Sequence, residues 1–421
     1  MSDASPVEWP QTRAHAIRTP PGAIRSLRAR AVLVPLRRPV IAAIGRFDRW
    51  PLVLVDVELA GGVVGSAYVA PYRAASVPAV LAELSDLAEV LVGRPAAPFD
   101  VEAGLMRALN VVGVAGLTTI AAAAIDMALW DARAKAAGLP LVELLGGTLG
   151  PVRAYNSNGL WRHEIGSLGR EARELADEGG FSALKLRLGA ERLADDLAAI
   201  AAVREGVGRD LDLMVDFNQG LGGGDALRRC HELDEQGLYW FEEPLAYDDL
   251  RGYAELAARL RTPLQLGENL YGARDLMRFV EARALHYAMG DLMRIGGVTG
   301  WLRAAAVAGA AGVQFSNHLY PEIAAHLLRV TPSAHWLEWV DWASPILLDP
   351  PVPSQGRIVA SGLPGMDVRW DEAAVRRYAI GRHCKASTRL CRPGRRRSQL
   401  NAPRISAAAS RPRPARTARA E

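Results

Sequence analysis

Leu211-Asp212-Leu213-Met214-Val215-Asp216 is a short apolar run closed by a carboxylate. The pattern returns 26 residues later in Leu238-Tyr239-Trp240-Phe241-Glu242, and 26 later again in Leu264-Gln265-Leu266-Gly267-Glu268. Outward from these, Ala183–Leu186 carries Lys185, Tyr287–Met289 runs up to Asp291, and Val313–Phe315 runs up to His318, with Glu338 one step further. The steps from Lys185 to Glu338 are about 31, 26, 26, 23, 27 and 20 residues, the length of one strand-plus-helix unit in a parallel barrel. All strands of such a barrel end at one face, so side chains far apart in sequence meet there.

Between the runs lie amphipathic stretches. The one at 191–204 spaces Leu193, Leu197, Ile200 and Val203 at helical steps, and Gly179-Gly180 sits where a helix stops and a strand begins. This alternation predicts an α/β fold, a TIM-type barrel over residues 146–345. Upstream, apolar or alternating segments at 27–36, 52–60 and 63–70 predict a three-stranded meander. Helical patterns follow at about 76–92, 101–110 and 117–137, the last rich in Ala. Together they predict an α+β domain over 25–145. Residues 346–380, with a helix at Asp371–Tyr378, are expected to return to it.

Residues 1–24 are polar and Pro-rich and read as a flexible leader. The net charge of +4 hides an asymmetry: residues 381–421 carry +11, which leaves −7 on the rest. That Arg-rich tail has almost no apolar content and is expected to be disordered. It lacks a folded recognition motif, so no specific nucleic-acid partner is expected. Three Cys (Cys230, Cys384, Cys391) make no disulfide framework or cysteine-rich metal site. No leader with an apolar core and no apolar run of about 18 residues occurs, so a cytoplasmic protein without a membrane partner is expected.

The strand-end residues carry the chemistry. Asp216, Glu242 and Glu268 form an all-oxygen donor set that suits a hard cation such as Mg²⁺, with Mn²⁺ as a substitute, rather than zinc. Single acids at strand ends also cap helices; three in register, flanked by a Lys and a His, favour a site. Asp291 and His318 close neighbouring strands, where a carboxylate can fix an imidazole as a base. Lys185 and Arg187, two apart on one strand, are expected to face the interior together. With a cation drawing in a substrate carboxylate, His318 would take the adjacent proton. Lys185 and a protonated Glu338 would then stabilise the enediolate.

These residues resemble the enolase superfamily, and within it the mandelate racemase / muconate lactonizing enzyme family, most of all its mandelate racemase branch. The resemblance runs from about Ser26 to Ile380. It rests on Ala124-Ile125-Asp126-Met127-Ala128, Met214 to Gln219, Glu242-Glu243-Pro244, Gly267-Glu268-Asn269, Asp291 to Trp301, Ser316-Asn317-His318-Leu319 and Thr331 to Glu338. It implies a modified (β/α)7β barrel under a capping domain, a small carboxylate substrate and a homo-oligomer, an octamer or a dimer. It also implies that Asp216, Glu242 and Glu268 bind Mg²⁺ and that His318, oriented by Asp291, is a base. Lys185 and Glu338 would hold the substrate carboxylate, with Asn218 and Ser157 near it. The loop Val40–Trp50 and Tyr72 would close the site. Val40, Ile44 and Phe47 there suit an apolar group, whereas Arg46 and Asp48 could bind a polyol.

One position departs from the family pattern. Where the racemase carries a second lysine as base for the opposite enantiomer, this chain has Arg187. Deprotonating an arginine at neutral pH lies about five pKa units uphill, roughly 7 kcal/mol. Two readings follow. The first is a racemase or epimerase of a 2-hydroxy acid, with Arg187 as an unusual acid/base. The alternative is an acid-sugar dehydratase forming a 2-keto-3-deoxy acid with His318 alone.

Overall fold

Alternating and β-branched residues draw the N-terminal segment into a long hairpin. In the computed structural model, which describes residues 22–42, 45–161 and 164–380 and the backbone of 384–387, β1 (Ile24–Ala42) pairs antiparallel with β2 (Gly45–Leu59). β2 pairs in turn with β3 (Val64–Val69). The expected closing loop is thus largely a continuation of this hairpin, with Val40 opposite Phe47 and Ile41 opposite Arg46. The β-branched pair Val40-Ile41 favours extended backbone and carries the ladder past a bulge at Pro35–Val40.

Helices α1 (Val77–Leu91), α2 (Pro98–Leu109) and α3 (Leu117–Ala137) cover the sheet. The alanines of α3 permit a close approach. A Cβ at Gly65 of β3 would lie 2.0 Å from Ala128 O, so Gly65 is required where strand and helix touch. A short α4 (Leu141–Leu144) leads to the barrel.

The barrel repeats strand and helix in order: β4 (Pro151–Asn156), α5 (Ile165–Asp177), β5 (Ala183–Arg187), α6 (Leu193–Val207), β6 (Asp212–Asp216) and α7 (Gly223–Leu233). It continues through β7 (Phe241–Glu242), α8 (Leu250–Arg259), β8 (Leu264–Leu266), α9 (Gly272–Glu281) and β9 (Tyr287–Asp291). After β9 come α10 (Leu292–Ile295), α11 (Gly297–Ala310), β10 (Gln314–His318), α12 (Pro321–Leu327) and β11 (Leu337–Trp339). The parallel order is β11-β4-β5-β6-β7-β8-β9-β10. Asn317 draws β10 to β11, its amide nitrogen 3.3 Å from Glu338 O and its oxygen 2.9 Å from Glu338 N. The expected TIM-type fold with an α+β cap is borne out.

Residues beyond the barrel touch both the barrel and the cap. β12 (Arg357–Val359) pairs with β4, and α13 (Glu372–Tyr378) brings Glu372 to 2.7 Å from Arg30 of β1. The expected disordered tail lies outside the described residues except at one place. The backbone of β13 (Cys384–Ser387) adds a fourth strand against β1, whose edge offers unpaired amides. The rest of 381–421, like the leader 1–21 and Ile44, lies outside the described residues. Among the described residues no helix is long and apolar enough to cross a membrane.

Two buried contacts latch cap to barrel. Asp126 of α3 accepts from Thr299 N at 2.9 Å and from Thr299 Oγ1 at 2.5 Å. Tyr68 of β3 donates to Glu322 Oε1 at 2.5 Å. Burial pushes Glu322 up to about 7, against the pull of the Tyr68 hydroxyl. Its folded pKa therefore exceeds the unfolded one of about 4.5. That contribution is complete at low pH and is lost as pH rises through 7. Glu322→Gln, always neutral, should match the wild type near pH 5 and exceed its stability at pH 8 by about 1–3 kcal/mol. Urea unfolding at the two pH values checks this; identical pH dependence of both proteins would remove Glu322 as the cause.

Candidate active site

Strand register sets the site before any side chain is considered. Arg187 stands opposite Asp216, Asp216 opposite Glu242, and Asp291 opposite His318. Asp216, Glu242, Asp291 and His318 are buried at the ends of their strands, Lys185 and Glu338 are buried within β5 and β11, and Glu268 is 8 % exposed two residues after β8. Backbone strain gathers at the same level: Asn218, Glu243 and Leu319, just past β6, β7 and β10, have φ of 45°, 36° and 53°. Non-glycine residues in that region cost free energy and cluster where a site over-determines them.

Lys185 is the electrostatic centre. Its ammonium lies 2.5 Å from Glu242, 2.8 Å from Glu338 and 3.5 Å from Asp216. Burial would lower its pKa, but these carboxylates hold it well above the usual lysine value. Glu242 is pushed up to about 8 by burial, against Lys185, with Asp216, Glu268 and Glu338 adding to the rise. One ammonium does not neutralise this much negative charge. The oxygen donors of Asp216, Glu242 and Glu268 therefore fit a hard divalent cation in charge and type. Among the described residues no group of three His, Cys, Asp or Glu side chains is already gathered to hold an ion, and Lys185 pairs with two of the three expected ligands, Glu242 and Asp216.

His318 Nδ1 lies 2.7 Å from Asp291 Oδ2, and Nε2 lies 3.3 Å from Glu268 Oε2. Burial would lower its pKa; Glu268 and Asp291 outweigh that and raise it to about 9. Asp291 is fixed from behind, since its other oxygen accepts from Met293 N and Arg294 N. Glu338 accepts from Lys185, from Ser157 Oγ at 2.6 Å and from Leu319 N at 2.9 Å. Although burial alone would raise its pKa, Lys185, His318 and Ser157 hold it well below the carboxylate range. Both carboxylate oxygens of Glu338 thus face donors, Oε1 toward Lys185 and Ser157 and Oε2 toward Leu319 N.

Other expected residues divide. Asn218 turns back on Asp216, its amide nitrogen 2.9 Å from Oδ2. Tyr72, Val40 and Phe47 lie in the cap, with Phe47 packed on Trp50 and Tyr72 on both Trp50 and Arg294. Arg46 and Asp48 pair with each other in solvent. Arg187 follows the expected inward orientation only in part. Its Nε comes within 3.9 Å of Asp216, but its head group stacks on Trp161 and bonds backbone carbonyls.

Two features escaped the sequence reading. Arg294 donates to Glu268 O at 2.9 Å and lies 3.7 Å from Asp291; its place three residues after Asp291 at a helix start was the available signal. An aromatic band links Phe47, Trp50 and Tyr72 of the cap to Trp342 and Trp161 of the barrel. No local pattern joins residues so far apart in sequence.

Comparison with known proteins agrees with this arrangement. Residues 24–146 match the mandelate racemase / muconate lactonizing enzyme N-terminal domain, and residues 167–374 match the enolase C-terminal domain-like family. The chain belongs to the mandelate racemase / muconate lactonizing enzyme family of the enolase superfamily. Among curated members of that family, L-talarate/galactarate dehydratase of Salmonella typhimurium is 31% identical over 326 residues, 77% of this chain and 82% of that one. Among solved members, an enolase from alpha pretobacterium bal199 with bound magnesium is 48% identical, with a TM-score of 0.84 over 85% of this chain and 99% of that one. A Bradyrhizobium enolase complexed with magnesium and mandelic acid is 39% identical, with a TM-score of 0.82 over the same shares.

Proposed function

We propose that the protein is an acid-sugar dehydratase: His318 removes the α-proton of a 2-hydroxy carboxylate, and the β-hydroxyl then leaves as water. In this reading Asp216, Glu242 and Glu268 hold Mg²⁺. When bound, that ion supplies Lewis-acid stabilisation of the charge that develops on the substrate carboxylate. Lys185 and Ser157, both tied to Glu338, hold that carboxylate. With Glu268 engaged by the cation, the carboxylate that most raises the His318 pKa is neutralised, so that His318 can take the proton at Nε2 while Asp291 keeps Nδ1 protonated and turned away. Breaking the α C–H bond sends its electron pair into the carboxylate; breaking the Cβ–O bond draws it back to form an enol. The same imidazole returns its proton to the departing oxygen, and the enol becomes a 2-keto-3-deoxy acid.

The observation that carries this choice is the bonding of Arg187. A racemase needs an acid/base on each face of the α-carbon. The Arg187 head group is committed as a donor to three carbonyls and a hydroxyl and lies on an indole face, and a guanidinium has no acceptor with which to take a proton. Elimination needs one face only. The dehydratase among the relatives supports the same reading.

The racemase or epimerase reading keeps one specific support. The aromatic band suits an apolar substituent, and mandelic acid, bound by one relative, has no β-hydroxyl to lose. Incubating the Mg²⁺-loaded protein in D₂O with chiral 2-hydroxy acids and sugar acids separates the two. The expected result is a 2-keto-3-deoxy product from a sugar acid, with other 2-hydroxy acids keeping their configuration. Loss of optical activity with deuterium at the α-carbon and no keto product would establish racemisation instead.

A further inference from the structure

Arg187 is more than an absent base. Nη1 donates to Ser157 O at 3.1 Å, Gly159 O at 3.2 Å and Lys185 O at 3.3 Å, and Nη2 donates to Ser157 Oγ at 2.7 Å. Its guanidinium carbon sits 3.9 Å from the centroid of the Trp161 ring, and the residue is 5 % exposed. One planar head group therefore ties the end of β5 to the segment that follows β4.

The contact with the hydroxyl has a directional consequence. A serine hydroxyl has a single proton to give. With Arg187 donating into Ser157 Oγ, that proton must go to an acceptor, and Glu338 Oε1 receives it at 2.6 Å. Glu338 Oε1 is also the oxygen 2.8 Å from Lys185 Nζ. Arg187, Ser157, Glu338 and Lys185 thus form one chain of donors and acceptors with its polarity set from the arginine end. A lysine in place of Arg187 has a single ammonium and no planar fork to span these acceptors.

The geometry points to Arg187 as a positioning residue: it presets Ser157, Glu338 and Lys185 to receive a substrate carboxylate. This rests on the proposed role of Lys185 and Ser157 as the carboxylate-holding pair. It also restricts the substrate to acids whose α-proton faces His318, because the opposite face then carries no acid/base.

The test uses the full chain with Mg²⁺ and three variants: Arg187→Met, Ser157→Ala and the double. Unfolding in urea is one readout, and it needs no substrate. The other is KM and kcat for the acid of the D₂O panel that loses or exchanges its α-proton fastest. Two residues acting as one unit are non-additive, so the double variant should be no worse than the worse single one, within about threefold, in unfolding constant and in KM. Each single variant should raise KM about tenfold or more and change kcat less. Effects that multiply would overturn the inference. Arg187→Lys is a fourth variant, and it should not rescue KM. Restored KM, or racemisation with Lys in place, would also overturn the inference and identify an acid/base position. Failure of the dehydratase reading shows separately, as no keto product from the wild type, and leaves the unfolding cycle intact.

Discussion

His318→Asn should abolish exchange of the substrate α-proton, a loss of at least about 10²–10⁴-fold, while the protein stays folded. The size of the effect follows from how the imidazole is held. Asp291 Oδ2, 2.7 Å from Nδ1, fixes one ring nitrogen, and Asp291 is itself anchored by two backbone amides at the start of α10. The anchored ring leaves Nε2 as its one nitrogen facing the substrate side, beside Glu268 at 3.3 Å. An asparagine can still donate to Asp291, so the buried carboxylate keeps a partner and the local fold survives, but it has no basic nitrogen. NMR in D₂O reads exchange directly, and a thermal melt checks folding. Exchange surviving in a folded His318→Asn protein would end the assignment of His318 as base, and with it both readings of the reaction.

The ladder from Lys185 to Glu338 was legible because a parallel barrel converts a periodic sequence into a convergent face. A carboxylate or imidazole closing an apolar run needs no tertiary information to be placed at that face. Residues with two open fates were harder. Arg187 and Lys185 share a strand and a side of it, yet Lys185 sinks among three carboxylates. The longer, planar guanidinium reaches back to the carbonyls of Ser157 and Gly159 instead. Alternation fixes which face a side chain leaves from, not which acceptors its far end finds. The set of groups around Glu338 was hidden for a related reason. It depends on Lys185, His318 and Ser157 meeting one carboxylate, a three-body fact that no single motif encodes. The segment Val40–Trp50 read as a loop because Gly45, Arg46 and Asp48 interrupt its apolar pattern. Its β-branched start let the ladder continue.

Lys185→Met should cost roughly 3–5 kcal/mol of stability at pH 8, the usual cost of removing one partner of a buried ion pair, and it should make the protein more responsive to Mg²⁺. The ammonium serves Glu242, Glu338 and Asp216 at once, and a methionine of similar length leaves those charges without a counter-ion. Protonation can relieve part of this. Glu242, already pushed up to about 8 by burial and its acidic neighbours, would take up a proton more readily still without Lys185. A carboxyl raised in the folded state stabilises it at low pH and loses that contribution as pH rises through the folded value. The deficit of the variant should therefore be small near pH 5 and grow toward pH 8. A divalent cation held by Asp216, Glu242 and Glu268 stabilises the folded state by mass action, and does so more strongly once the competing ammonium is gone. Urea unfolding at both pH values, with and without Mg²⁺, gives the comparison. A variant that gains no more from Mg²⁺ than the wild type would mean that these three carboxylates are not where the cation binds.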